Sequence, residues 1–288
     1  MSIKSLKTPL RYPGGKSKAI KTLSQWYPKN ISEYREPFIG GGSIAIDITK
    51  SNPDIPVWIN DLYVPLYNFW VQLRDRGEEL SERVREEKQN TLDEGDPEKI
   101  TAKAKDLFNK YKEEIDTYDD FEKAVAFFVM NKCSFSGLTE NSTFSQTASN
   151  SNFSLVGAKK LKDFSKIIKN WKITNIDYSE VMSADGSDNT FIFLDPPYDI
   201  KDFLYGKNRE MHRSFDHDLF AENVYKCDHT FMITYNQNHK LMLLYQDYEL
   251  NFWNLRYSMA HRDDNIKTEL LITNYNIHSV SPLEKLLT

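Results

Sequence analysis

Hydrophobic positions along this chain follow two rhythms, short apolar runs closed by an acid, and longer stretches with apolar residues at helical spacing. The strongest run is Phe191-Ile192-Phe193-Leu194, continuous rather than alternating, followed by Asp195-Pro196-Pro197-Tyr198. A continuous run needs cover on both faces, which predicts a buried strand of a parallel sheet. Two successive prolines donate no ladder hydrogen bonds and end it. The result is a rigid turn at the carboxyl end of a strand, where open α/β sheets bind ligands. Further strands are expected from Tyr34, at 57–61, 172–178 and 230–235, with 248–257 and 267–275 as a closing hairpin. Between them, residues 62–130 read as helices: Leu66, Phe69, Trp70 and Leu73 fall on one face, and Pro97 suits the first turn of a new helix. Residues 216–225 are also expected to be helical.

With 288 residues and 40% hydrophobic content, the chain holds enough apolar material for a large core. No apolar run approaches the length of a membrane span. The first residues carry no signal-like apolar region, and two cysteines are too few for a disulfide framework. A cytoplasmic, reducing setting is expected. The net charge of −5 alone argues against a nucleic-acid partner, but its distribution changes that. Residues 1–35 hold eight bases against one acid, and residues 159–172 hold six against one. Residues 78–122 hold sixteen acids and eight bases. Basic patches beside an acidic segment fit a protein that grips phosphates on one side.

The chemistry-bearing motifs come in order. Tyr12-Pro13-Gly14-Gly15-Lys16-Ser17 is a glycine turn without the earlier glycine of a phosphate-binding P-loop. Glu36-Pro37-Phe38-Ile39-Gly40-Gly41-Gly42-Ser43 leads a strand into a helix, as the first βα turn of a doubly wound sheet does. Its glycine spacing is not that of dinucleotide sites, and Glu36 favours a cationic ligand over a diphosphate. Asp61 lies about twenty residues on, where an acid binds ribose hydroxyls. Residues 133–157 are Ser/Thr/Asn-rich with Phe135, Phe144 and Phe153, a loop or hairpin suited to reading DNA. Residues 199–215 carry Lys201, Lys207, Arg209 and Arg213 and read as a mobile loop at the ligand edge. The six histidines show no metal-binding spacing, so no metal is expected. Asp195 and the Pro196 carbonyl offer two acceptors beside the Tyr198 ring, a set suited to a flat base bearing an NH2 group.

Taken together, L-R-Y-P-G-G-K-S-K, E-P-F-I-G-G-G-S, I-N-D, F-S-G-L, I-D-Y, D-P-P-Y and T-E-L-L-I-T-N-Y span residues 10–275. In this order the chain resembles the Dam-type, D12-class adenine-N6 DNA methyltransferases of the alpha group. The resemblance implies an α/β fold: a Rossmann-like S-adenosylmethionine-dependent methyltransferase sheet (1–61 and 165–288) with a helical target-recognition insertion (62–164) and a DNA-contacting loop near 133–157. It implies catalysis at Asp195, Pro196, Pro197 and Tyr198. It implies S-adenosylmethionine contacts at Tyr12, Lys16, Glu36, Phe38, Gly40, Gly42, Ser43, Asp61, Asp177, Tyr178 and Asp195. Double-stranded DNA is the expected partner, contacted by Lys18, Ser136, Asn141, Ser142, Phe144, Arg209 and Arg213. A cognate restriction endonuclease acting separately, in a prokaryotic or viral setting, completes the expectation. The 133–157 segment lacks the basic residues familiar in GATC-specific members, so that specificity is not carried over. The competing classes are a methyltransferase acting on RNA or a protein amide, a silent DNA-binding relative, and, weakest, a dinucleotide oxidoreductase.

Overall fold

A computed structural model describes residues 5–139, 142–198, 215–256 and 266–277. Strand β4, Thr190–Leu194, is buried at every position. Phe191 and Phe193 pack into one core, and Ile192 and Leu194 into another on the opposite face. The continuous apolar run is therefore covered on both sides, and truncating either phenylalanine to alanine would cost roughly 3–5 kcal/mol. Strands β1 (Glu33–Glu36), β2 (Val57–Asn60), β3 (Lys172–Thr174) and β5 (Thr230–Asn236) run parallel with β4. β6 (Glu249–Arg256) and β7 (Ile266–Thr273) form the expected antiparallel hairpin, with β7 against β5. The sheet order is β3-β2-β1-β4-β5-β7-β6. Strand order reverses between β1 and β4, and the crevice at their carboxyl ends is where such sheets hold ligands.

One strand is shorter than its sequence suggests. β3 stops at Thr174, and Asp177 instead caps helix Tyr178–Ser183, its Oδ1 accepting from the Ser179 amide. The polar run 174–177 serves the neighbouring strand end rather than a ladder: Asn175 Nδ2 donates to the Asp61 carbonyl at 2.7 Å.

The 62–130 region is helical throughout its main stretches. Its helices are α1 (Val64–Asp75), α2 (Gly77–Leu92), α3 (Pro97–Glu114) and α4 (Asp120–Cys133). The α1 residues buried are Leu66, Phe69, Trp70 and Leu73, the face that the spacing picks out. Asp96 and Asp119 cap α3 and α4 by accepting from backbone amides. The core of this region is continuous with one face of the sheet, since Phe69, Trp70 and Phe127 share a cluster with Ile46 and Phe193.

Residues 133–157 differ most from expectation. Among the described residues, an isolated antiparallel bridge joins Ser134 and Phe144. Helix α5, Gln146–Asn152, follows, and helix α6, Leu155–Ile168, runs across the expected boundary at 164/165. Composition misleads here because some of the serines are caps: Ser145 and Ser154 accept from the Ala148 and Gly157 amides. Among the described residues, no helix is long and apolar enough to cross a membrane.

Candidate active site

The strand ends and the N-terminal turn enclose a cavity of about 1800 Å³. Ordinary small-molecule sites occupy roughly 300–1,000 Å³, so this one has room for two ligands side by side. β1 delivers Glu36, β2 delivers Asp61, β4 delivers Asp195 and β5 delivers Asn236 to the same crevice. Tyr12, Lys16, Phe38, Gly40, Gly42, Ser43, Asp177, Tyr178, Pro196, Pro197 and Tyr198 also line it. The cofactor and catalytic residues expected from the sequence are thus brought together.

The glycine loop is shaped by the protein itself. Gly40 and Gly42 have φ of 46° and 67°, the left-handed region that favours glycine. A Cβ on Gly42 would stand 2.6 Å from the Trp70 ring, and one on Gly40 would stand 3.0 Å from the Tyr12 ring. The Trp70 indole in turn donates to the Gly40 carbonyl at 3.2 Å. These glycines are needed for close approach, but by aromatic rings as well as by any ligand. The Gly40 amide donates to Asp61 Oδ2 at 3.2 Å, and the Tyr63 amide to Asp61 Oδ1 at 3.0 Å.

Two acids give the cavity its electrostatic character. Glu36 is 3% exposed and accepts from the Tyr34 hydroxyl at 2.6 Å. Burial pushes its carboxyl up to about 8, with Asp195 adding repulsion and Lys16 opposing it. Desolvation likewise pushes Asp61 up to about 7, opposed by the Gly40 amide. Groups poised to ionise in a cavity suit a ligand that brings a positive charge and hydroxyls. Asn236 Oδ1 and Tyr63 Oη, also on the cavity wall, are buried without a partner among the described residues. Such groups call for a ligand or water.

The Asp195 carboxylate is held from two sides. Lys16 Nζ lies 2.6 Å from both of its oxygens and donates to the Gly14 carbonyl at 3.0 Å. Thr234 Oγ1 donates to Asp195 Oδ1 at 2.9 Å. Lys16, expected on the cofactor, bonds Asp195 in this structure, with its ammonium 5.0 Å from the centre of the Tyr198 ring. Tyr198 donates its hydroxyl to Glu269 Oε2 at 2.8 Å. Thr234 had no local signal beyond being a polar residue inside an apolar strand, and Glu269 stood in the T-E-L-L-I-T-N-Y motif without a role assigned to it.

Buried asparagines tie the frame together. Asn60, 1% exposed, donates to the Pro37 and Ile176 carbonyls and accepts from the Thr174 hydroxyl and the Ile176 amide. It thereby clamps three strand ends. Asn131 accepts from the Arg11 amide and donates to the Arg11 and Gly137 carbonyls, fixing α4 and the F-S-G-L turn to the N-terminal segment. Buried amide clamps of this kind leave no composition or spacing signature.

The expected DNA contacts divide. Lys18 is exposed at the cavity rim and Ser136 lines it. Ser142 is buried, its hydroxyl donating to backbone carbonyls, and half-buried Phe144 packs edge-on to Phe108. Of the segment's three aromatics, Phe153 is buried, Phe144 half-buried, and Phe135 60% exposed at the rim. Its neighbour Ser136 has φ 54°, a left-handed conformation uncommon outside glycine, and Gly137 is pressed against the Arg11 carbonyl. Asn141, Arg209, Arg213 and the 199–214 loop lie outside the described residues. So does the polar tip 260–265. No group of three potential metal ligands occurs among the described residues.

The chain is similar to known proteins along most of its length. The family model for D12 class N6 adenine-specific DNA methyltransferase matches residues 12–277. Type II methyltransferase M.MjaIII of Methanocaldococcus jannaschii is 26% identical over 200 residues, covering 66% of this chain and 68% of the relative. Type II methyltransferase M1.LlaDCHI of Lactococcus lactis subsp. cremoris is 23% identical over 194 residues, covering 65% and 64% respectively. With a sheet whose switch point gathers Glu36, Asp61 and the Asp195–Tyr198 turn, and a family match from residue 12 to 277, the chain belongs to the D12 class N6 adenine-specific DNA methyltransferases, enzymes that take their methyl group from S-adenosylmethionine.

Proposed function

We propose that this chain methylates N6 of an adenine rotated out of a specific double-stranded DNA sequence, with Asp195-Pro196-Pro197-Tyr198 as the reacting turn. The observation that carries the reading is the Asp195 carboxylate, fixed by Thr234 and already bonded to an N–H donor, Lys16. An exocyclic amine is the same kind of donor, so Lys16 occupies the place that N6 takes when a base enters.

Adenine N6 is inside the base pair, and extrusion costs roughly a few kcal/mol. Stacking on Tyr198 returns roughly 1–3 kcal/mol of this. The N6 lone pair is delocalised into the ring and is a weak nucleophile. Acceptance of its two hydrogens by Asp195 and the Pro196 carbonyl favours a pyramidal nitrogen whose lone pair points away from the ring. The same acceptors stabilise the positive charge that develops there, and holding the base in place supplies further acceleration. S-adenosylmethionine supplies an electrophilic methyl group on a sulfonium centre. Glu36 suits its ammonium and Asp61 its ribose hydroxyls, while the Tyr12 ring and the 36–43 loop wall the cavity.

On the DNA side, Phe135 is the candidate wedge for the space that the base leaves, and Lys18 a phosphate contact. Asn141, Arg209 and Arg213 stay as proposed contacts. The Type II designation of the relatives supports a companion restriction endonuclease that acts separately, in the cytoplasm of a prokaryotic cell. Asp195→Ala tests the assignment: methyl transfer from labelled S-adenosylmethionine to unmethylated DNA should fall at least a thousandfold, with DNA affinity within a fewfold. Near-normal turnover would refute it.

A further inference from the structure

The face of the sheet that meets the reacting turn carries polar residues where a core strand would carry apolar ones. Asp195 follows β4, whose Leu194 is in register with Ile233 of β5, so Asp195 stands beside Thr234. Two residues on, Asn236 shares that face and is in register with Glu269 of β7. The period of two along a strand puts Thr234, Asn236 and Glu269 in one row. Thr234 is 0% and Glu269 1% exposed. Burying a carboxylate is costly unless it is hydrogen-bonded, and Glu269 receives the Tyr198 hydroxyl at 2.8 Å. The same row thus touches the first and last side chains of the reacting turn, Thr234 on Asp195 and Glu269 on Tyr198.

We propose that Glu269 is a positioning residue for methyl transfer, fixing the Tyr198 ring at the angle at which an extruded base stacks on it. Tyr198 has two side-chain torsions, and its ring also meets Tyr235 at 5.9 Å between centroids and the Lys16 ammonium at 5.0 Å. A hydrogen bond at the hydroxyl, the far end of the ring from Cβ, narrows the orientations that both torsions allow. Glu269 reaches no reacting atom in this account. It acts by removing ring orientations that do not stack. The proposal rests on the reading of Tyr198 as the stacking surface.

The test is a mutant cycle on the full chain: Glu269→Ala, Glu269→Gln, Tyr198→Phe and the double variant Tyr198→Phe/Glu269→Ala. Single-turnover methyl transfer to unmethylated genomic DNA is measured together with S-adenosylmethionine affinity and thermal stability. Glu269→Ala should slow the transfer step about tenfold with cofactor affinity unchanged. Glu269→Gln keeps an acceptor oxygen and should remain within about threefold of the parent. In the Tyr198→Phe background, which has no hydroxyl to hold, Glu269→Ala should add less than twofold. The proposal is overturned if the loss in Glu269→Ala is equal in both backgrounds, if the transfer rate is unchanged, or if glutamine fails as badly as alanine. A rate unaffected by Tyr198→Ala would instead overturn the reading of Tyr198 itself, and with it this proposal.

Discussion

At the scale of single residues, the cavity is a set of acids whose protonation is coupled to what binds. Glu36 and Asp61 are pushed up to about 8 and about 7 by desolvation. Both must be ionised to meet an ammonium and ribose hydroxyls most favourably. Affinity for S-adenosylmethionine should therefore rise between pH 6 and about 8 and be accompanied by proton release. Calorimetry in buffers of different ionisation enthalpy reads that release directly, and Glu36→Gln should leave only the part of the pH dependence that Asp61 carries near pH 7. A pH-independent affinity would contradict the assignment of Glu36. The same shifts carry a stability consequence. In the unfolded chain Glu36 loses its proton near its ordinary value of 4.5, and in the folded chain near 8. Between those values the folded state binds more protons, so this group's contribution to ligand-free stability falls as pH rises through the window.

Asn60 makes a residue-scale prediction of another kind. Its side chain fills two donor and two acceptor positions between three strand ends. Asn60→Ala leaves those backbone groups buried and unmet, at a cost on the order of 3 kcal/mol. Denaturant unfolding should show it as a lower midpoint with an unchanged slope. A variant as stable as the parent would mean that water replaces the clamp.

At the scale of elements, the strands were the legible part. β4 announced itself by a continuous apolar run and two prolines, and the hairpin by its length and β-branched content. The α1 face followed from Leu66, Phe69, Trp70 and Leu73 at helical spacing. The 133–157 segment was illegible because Ser and Asn serve loops and helix caps alike; Ser145 and Ser154 turned out to start helices. Among its described residues the one exposed aromatic is Phe135, on a turn held by Asn131 and by Gly137 against Arg11. If this turn is a wedge, Phe135→Ala should reduce the transfer rate at least tenfold at saturating DNA, while cofactor affinity stays the same. Equal rates at saturation would assign Phe135 to the surface alone.

At the scale of the whole molecule, charge and topology divide the work. Part of the basic N-terminal segment is spent inside the protein: Lys16 on Asp195, and Arg35 on Glu33 and the carbonyls of residues 181, 184 and 185. One lysine of the 159–172 patch, Lys162, faces Glu78 of the acidic helix. Net charge therefore says less about the DNA face than the residues at the cavity rim do. The order of motifs made the cofactor and catalytic residues readable as a set, since a doubly wound sheet brings the carboxyl ends of its strands to one crevice. Partners that act across strands, Thr234 on Asp195 and Glu269 on Tyr198, were not readable, because they are joined by register between β4, β5 and β7 rather than by spacing along the chain.

The central claim is that Asp195-Pro196-Pro197-Tyr198 methylates N6 of adenine at a defined DNA sequence. The most direct measurement is incubation of the purified protein with S-adenosylmethionine and fully unmethylated genomic DNA, followed by sequencing that maps N6-methyladenine. The account predicts methyl marks at one short motif, absent when Asp195→Ala is used. Unmarked DNA in the presence of a bound cofactor, or marks scattered without a motif, would contradict it.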